Sequence, residues 1–169
     1  MNTNATETLK KDILKAVQDG DIAKLYILEQ KANDTFDEKT LMDYYRNILD
    51  LALEKLTDTL ESHTKLNMND VQDFATARAL YEYAMEHYHA GKNEDAAALF
   101  EILGGITDDE NFSKAMQIHA AAARKGIDLD TFLEEYADMD KVETSGNFYI
   151  GDFTDEAHSL LDEQEKESE

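Results

Sequence analysis

An all-α chain of antiparallel helical hairpins is predicted by three features of the sequence. The 169 residues contain no Pro, so nothing removes an interior helical hydrogen bond or forces a rigid kink. No sustained alternation of Val, Ile or Thr and no Asn-Gly turn marks a strand or a β-hairpin. Apolar residues instead recur at threes and fours in several separate stretches, the spacing that places them on one side of a helix.

Taken in order, residues 6–18 carry Leu9, Ile13, Leu14 and Val17 on one side of a first helix, which Asp19, Gly20 and Asp21 break. A second helix over 22–32, with Leu25, Tyr26 and Leu28 as its apolar contacts, completes a hairpin. After the polar connection 33–37, a long helix runs over 37–62, with Leu41, Tyr45, Ile48, Leu49, Ala52, Leu56 and Leu60 as its stripe. More than six turns long, it suits either a structural brace or a seam for self-association into a homodimer. The polar run 63–70 ends in a cap at Asn69 or Asp70. The boundary is expected there, dividing an N-terminal helical region (1–66) from a second helical region (67–169).

The second region contains the most specific stretch, residues 80–103. Leu80, Tyr83, Ala84 and His87 form one stripe before Gly91, and Ala96, Phe100 and Leu103 form another after it. Small Ala84 and Ala96 let two backbones approach, and Phe100 and Leu103 fill the space beside them. A cap signal at 107–110 precedes another helix, Gly and helix outline over 111–140, centred on Gly126. There Thr131 stands where Ala is wanted, and Phe132 and Tyr136 fall one position late. Order is expected to fade from Asp138 to Gly151. The stretch from Phe148 reads as the remnant of a third helix pair, and the acidic run 162–169 is expected to fray.

Leu80, Tyr81, Ala84, Tyr88, Gly91, Lys92, Glu94, Asp95, Ala96 and Phe100 together resemble the tetratricopeptide pattern. More narrowly, they resemble the first repeat of the class II chaperones of type III secretion systems. The resemblance implies tetratricopeptide-like helical repeats with an extra N-terminal helical region, and a client that is a secreted, translocator-like protein. It also aligns Tyr81 and Tyr88 with groove tyrosines of that first repeat. The N-terminal region exceeds what such chaperones carry, which leaves room for a different specificity.

Charge narrows the partners. The net charge is −22, and residues 1–66 hold nine Lys plus Arg against thirteen Asp plus Glu, while 67–169 hold seven against twenty-five. Such a surface repels phosphate backbones and anionic headgroups, so neither nucleic acid nor membrane is an expected partner. With no Cys there is no disulfide framework, thiolate metal site or cysteine nucleophile. No apolar run has the length of a membrane span and the first twenty residues lack a signal-peptide core, so a cytoplasmic location is expected.

Catalytic chemistry finds no foothold. His87 and His89, the closest histidine pair, are two apart and point to different sides of a helix, and no H-E-x-x-H, G-x-S-x-G or Gly-rich phosphate loop occurs. The stretch 138–146 opens like a calcium loop, but Glu143 occupies the position that requires Gly. No enzyme activity, metal or cofactor is therefore expected.

Binding of a protein client remains. In a repeat array the first helix of each pair lines a concave groove. Counting from Gly91 and Gly126 places Arg78, Tyr81, Met85, Tyr88 and His89 on one wall, and Ser113, Met116, Ala120 and Ala123 on the next. Tyr and Met beside small Ala suit an extended apolar segment. The expectation is a non-enzymatic chaperone or adaptor. The alternative is a structural or regulatory protein that self-associates through the helix 37–62.

Overall fold

Spacing at threes and fours does produce helices throughout the chain. The structure, a computed structural model, describes residues 3–167, with side chains described over 4–162. It is all-α: α1 (Thr3–Asp19), α2 (Ile22–Ile27), α3 (Glu29–Thr35), α4 (Glu38–Glu61), α5 (Val71–His89), α6 (Asn93–Ile106), α7 (Glu110–Arg124), α8 (Leu129–Thr131), a π-turn over Phe132–Tyr136, α9 (Met139–Ser145) and α10 (Asp155–Glu167). No strand forms among the described residues, and an isolated antiparallel bridge joins Ala137 to Phe153. The fraying expected over 162–169 falls partly outside the described residues, and α10 remains helical to Glu167.

The chain divides into two compact units, Met1–Ala79 and Leu80–Glu169. The sequence places that boundary between residues 66 and 67, within the polar run 63–70, whereas the division falls inside α5. The reason is visible in the first half of α5. Gln72 donates to Asp21 Oδ1 at 2.5 Å, Lys55 pairs with Asp73 at 3.8 Å, and Arg78 pairs with Glu29 at 3.3 Å. These side chains tie residues 71–79 to the helices that precede them.

In the amino-terminal unit Leu9, Ile13 and Ala16 of α1 are buried, while Leu14 is 58% exposed. Ala16 takes the inward position that the sequence pattern gives to Leu14. The single helix expected over 22–32 is interrupted at Leu28, although Ile22, Leu25, Leu28 and Ala32 still form one buried stripe. Asp37 caps α4 by accepting from the Thr40 amide at 2.8 Å. That helix buries Tyr44, Ile48, Ala52, Leu56 and Thr59. The expected stripe used Tyr45 and Leu60 instead, but Tyr44 turns inward to donate to the Leu25 carbonyl, and Leu60 is left 47% exposed. Thr59 satisfies its own hydroxyl on the Lys55 carbonyl, which allows a polar residue into the stripe.

Asp70 starts α5, accepting from the Gln72 and Asp73 amides, in agreement with the cap read at 69–70. In the carboxy-terminal unit the α5–α6 turn places Gly91 at φ +80, a conformation that costs other residues a Cβ clash, and the Lys92 amide closes the turn on the His87 carbonyl at 2.9 Å. Leu80, Ala84, Ala96, Phe100 and Leu103 are all buried, as the spacing around Gly91 predicts. Asp109 caps α7 through the Phe112 amide at 2.9 Å.

The next helix pair departs from the expected outline. After Gly126 only α8 and the π-turn follow, and the Ala137 amide reaches back five residues to the Phe132 carbonyl. Order does not fade after Asp138, since Asp138 caps α9 through the Lys141 amide.

Candidate functional site

The C-terminal half of α5, together with α6, α7 and the π-turn, gathers an aromatic cluster in the carboxy-terminal unit. Tyr81 and Tyr88 both approach Phe100 with ring centroids 6.1 Å apart, and Phe100 lies 4.9 Å from the His119 ring. Phe112 and Phe132 extend the cluster along α7 and the π-turn, and both are fully buried. Local sequence makes this wall smooth: Ala115 and Ala120 to Ala123 line α7 and are also buried, so the large rings dominate its relief.

Against this wall lies a strap, residues 147–154, between α9 and α10. Phe148 and Tyr149 pack on Phe112 at 5.7 and 4.9 Å and on Tyr81 at 6.0 and 6.4 Å. Phe153 faces His119 and Phe132. Backbone hydrogen bonds hold the strap independently of its side chains. The Ile150 amide donates to the Tyr81 hydroxyl at 3.1 Å, the Asp138 amide to the Asp152 carbonyl at 2.9 Å, and the Thr154 amide to the Tyr136 carbonyl at 2.9 Å.

The strap explains where the predicted groove residues lie. Tyr81, Tyr88, Met116, Ala120 and Ala123 are buried core, with Tyr81 directly under the strap, and do not form the floor of an open trough. Met85 and Ser113 are half-buried, and His89 is exposed. Ser113 donates to the Gly104 carbonyl at 2.8 Å where α6 and α7 approach closely. Arg78 belongs to the amino-terminal unit, where its guanidinium lies 4.0 Å above the Tyr26 ring beside Glu29. Tyr88 donates to the Ile127 carbonyl at 2.6 Å, so its hydroxyl is committed to the loop after α7.

The residue that the sequence reading overlooks is His119. Its ring is fully buried, Nδ1 is 2.6 Å from the Ala115 carbonyl, and Nε2 is 2.9 Å from the Tyr81 hydroxyl. A carbonyl only accepts, so Nδ1 carries the proton and Nε2 accepts from Tyr81, which in turn accepts from Ile150. Burial lowers the His119 pKa to about 4 and raises that of Tyr81. Every polar atom of this chain of bonds is satisfied, so it is suited to orienting the strap and offers no free base or nucleophile. The one signal in the sequence was a lone His within the alanine-rich face of α7.

Among the described residues no group of three or more His, Asp or Glu is placed to hold a metal ion, and no helix is long and apolar enough to cross a membrane. Buried side-chain nitrogen and oxygen atoms all have partners among the described residues. The amino-terminal unit has an open groove of about 340 Å³ between α1 and α4, lined by Ile13, Leu14, Val17, Phe36 and Tyr44, with Lys10 and Asp43 among its polar lining. Comparison with protein-family models, with curated proteins and with solved structures finds no match to this chain.

Proposed function

We propose that the chain is a non-enzymatic adaptor or chaperone that holds an extended apolar segment of a client protein against the α5–α7 face of its carboxy-terminal unit. The observation that carries this reading is the strap itself, a non-helical run tied by main-chain hydrogen bonds at Ile150, Asp152 and Thr154 with aromatic side chains set into the helical wall. Combining main-chain bonds with side-chain pockets is how proteins grip extended peptides. On this reading the strap covers the client-holding face, and the client binds by displacing it.

The tetratricopeptide resemblance over residues 80–103 supports the same reading and suggests a cytoplasmic protein with a hydrophobic, translocator-like secretion substrate as its client. Self-association through α4 has less to draw on. Ile48, Ala52 and Leu56, the centre of the proposed seam, are buried within the amino-terminal unit.

Light scattering of an aggregation-prone translocator segment tests the proposal. The full chain is expected to keep the segment soluble at near-equimolar ratio, and to do so better when Phe148→Ala and Phe153→Ala weaken the strap. Equal aggregation with and without the protein, together with no complex by sedimentation, overturns it.

A further inference from the structure

Resting on that reading, we infer that the client segment shares the strap's own chemistry, a non-helical run with the aromatic and aliphatic pattern of Phe148, Tyr149, Ile150 and Phe153, and that it carries a basic residue where the strap has Asp152. The pattern follows from what the wall receives. Two adjacent aromatics meet Phe112 and Tyr81, the next residue is the buried Ile150, and an aromatic three positions on meets His119 and Phe132. Between them stands Gly151, where a Cβ would lie 2.9 Å from the Tyr149 ring. A side chain there would push that ring off its seat, so the client needs glycine or a shifted ring at this position.

The basic residue at that position follows from charge. The carboxy-terminal unit has six Lys plus Arg against twenty-three Asp plus Glu, and the Tyr149 pKa is raised first by burial and then by the negative charges of Asp109 and the strap's own Asp152. Replacing the strap by a segment with Lys or Arg in place of Asp152 relieves like-charge repulsion at the cleft. Displacement is also local. Ile150 is buried, but Phe148, Tyr149 and residues 151–154 are only half-buried, and α10 stays anchored through the buried Ala157 and Leu160. The strap therefore competes with a client from a high effective concentration, and weakening it raises the competent fraction.

The test uses the full chain and a fluorescein-labelled peptide with the sequence of residues 146–154, read by anisotropy. The Phe148→Ala, Phe153→Ala double variant is expected to bind it at least about tenfold more tightly than the wild type. The peptide carrying the Asp152→Lys change should bind more tightly still, with an advantage that shrinks as salt is added. A double variant with wild-type circular dichroism and a cooperative melt that gains no peptide affinity overturns the inference, as does equal binding of a scrambled peptide.

Should the double variant not fold, the wild type in millimolar unlabelled peptide must show faster exchange of the Ile150 amide, and unchanged exchange overturns the inference. An aliphatic-rich apolar peptide separates the two levels. If the variant takes that peptide and refuses the strap sequence, the client pattern is wrong and the adaptor reading stands. If it takes neither, both fall.

Discussion

At the scale of single residues, the Tyr81–His119 pair makes the strongest commitments. Burial depresses the His119 pKa to about 4, below its ordinary value near 6.5, so the unfolded chain takes up a proton first as pH falls. The stabilisation is complete above pH 6.5 and is lost between there and pH 4, by about 1.4 kcal/mol per pH unit and roughly 3 kcal/mol in all. Carboxylates titrating near the lower end of that window also relieve self-repulsion, so the informative quantity is the difference between wild type and His119→Gln in urea denaturation across it. The wild type should lose stability relative to the variant on acidification. A constant difference would mean that His119 charges freely in the folded state. The companion change, Tyr81→Phe, leaves the Ile150 amide and His119 Nε2 without partners and is expected to cost about 2–3 kcal/mol. Faster exchange of the Ile150 amide would place that loss at the strap.

At the scale of elements, helix packing is decided by small residues at close approaches. A Cβ on Gly104 would stand 3.3 Å from the Ser113 carbonyl oxygen and 3.4 Å from Met116 Cβ, whereas one on Gly105 would meet nothing within 4 Å. Gly105→Ala should therefore gain the helical preference of alanine, about 0.5–1 kcal/mol. Gly104→Ala must also separate α6 from α7 and should be the less stable of the two by about 1–2 kcal/mol; thermal melts of both variants check the order. These packings also show what the sequence made legible. The hairpin at Gly91 and the caps at Asp70 and Asp109 depend on neighbours within a few positions, and local spacing reveals them. Which residue of α4 faces inward depends on the Leu25 carbonyl nineteen positions away, and spacing alone selected Tyr45 over Tyr44. The strap was least legible, because a non-helical segment gains its order from partners such as Tyr81, sixty-nine positions distant. Of the residues read as a groove wall, Tyr81, Tyr88, Met116, Ala120 and Ala123 are buried, whereas Arg78 belongs to the amino-terminal unit and His89 is exposed.

At the scale of the whole molecule, charge sets a stability term that no single contact reports. Thirty-eight Asp plus Glu face sixteen Lys plus Arg, so ion pairs such as Arg124 with Glu101 and Glu94 leave a large excess of negative charge even if every base were paired. Folding gathers that excess into a smaller volume, and self-repulsion opposes the compact state. Raising ionic strength from 0.01 to 1 M shortens the screening length from about 30 to about 3 Å. Added NaCl is therefore expected to raise the midpoint of thermal unfolding by several degrees, since about 1 kcal/mol corresponds to roughly 2–4 °C at this size. The effect should be unequal, because Met1–Ala79 holds ten basic against fifteen acidic residues and Leu80–Glu169 six against twenty-three. Hydrogen exchange read by mass spectrometry follows each unit separately, and the larger gain in protection should appear in the second. A midpoint that falls with salt would mean that local pairs such as Arg124–Glu101 outweigh the net repulsion, and equal gains in both units would assign the effect to general salting-out of apolar surface.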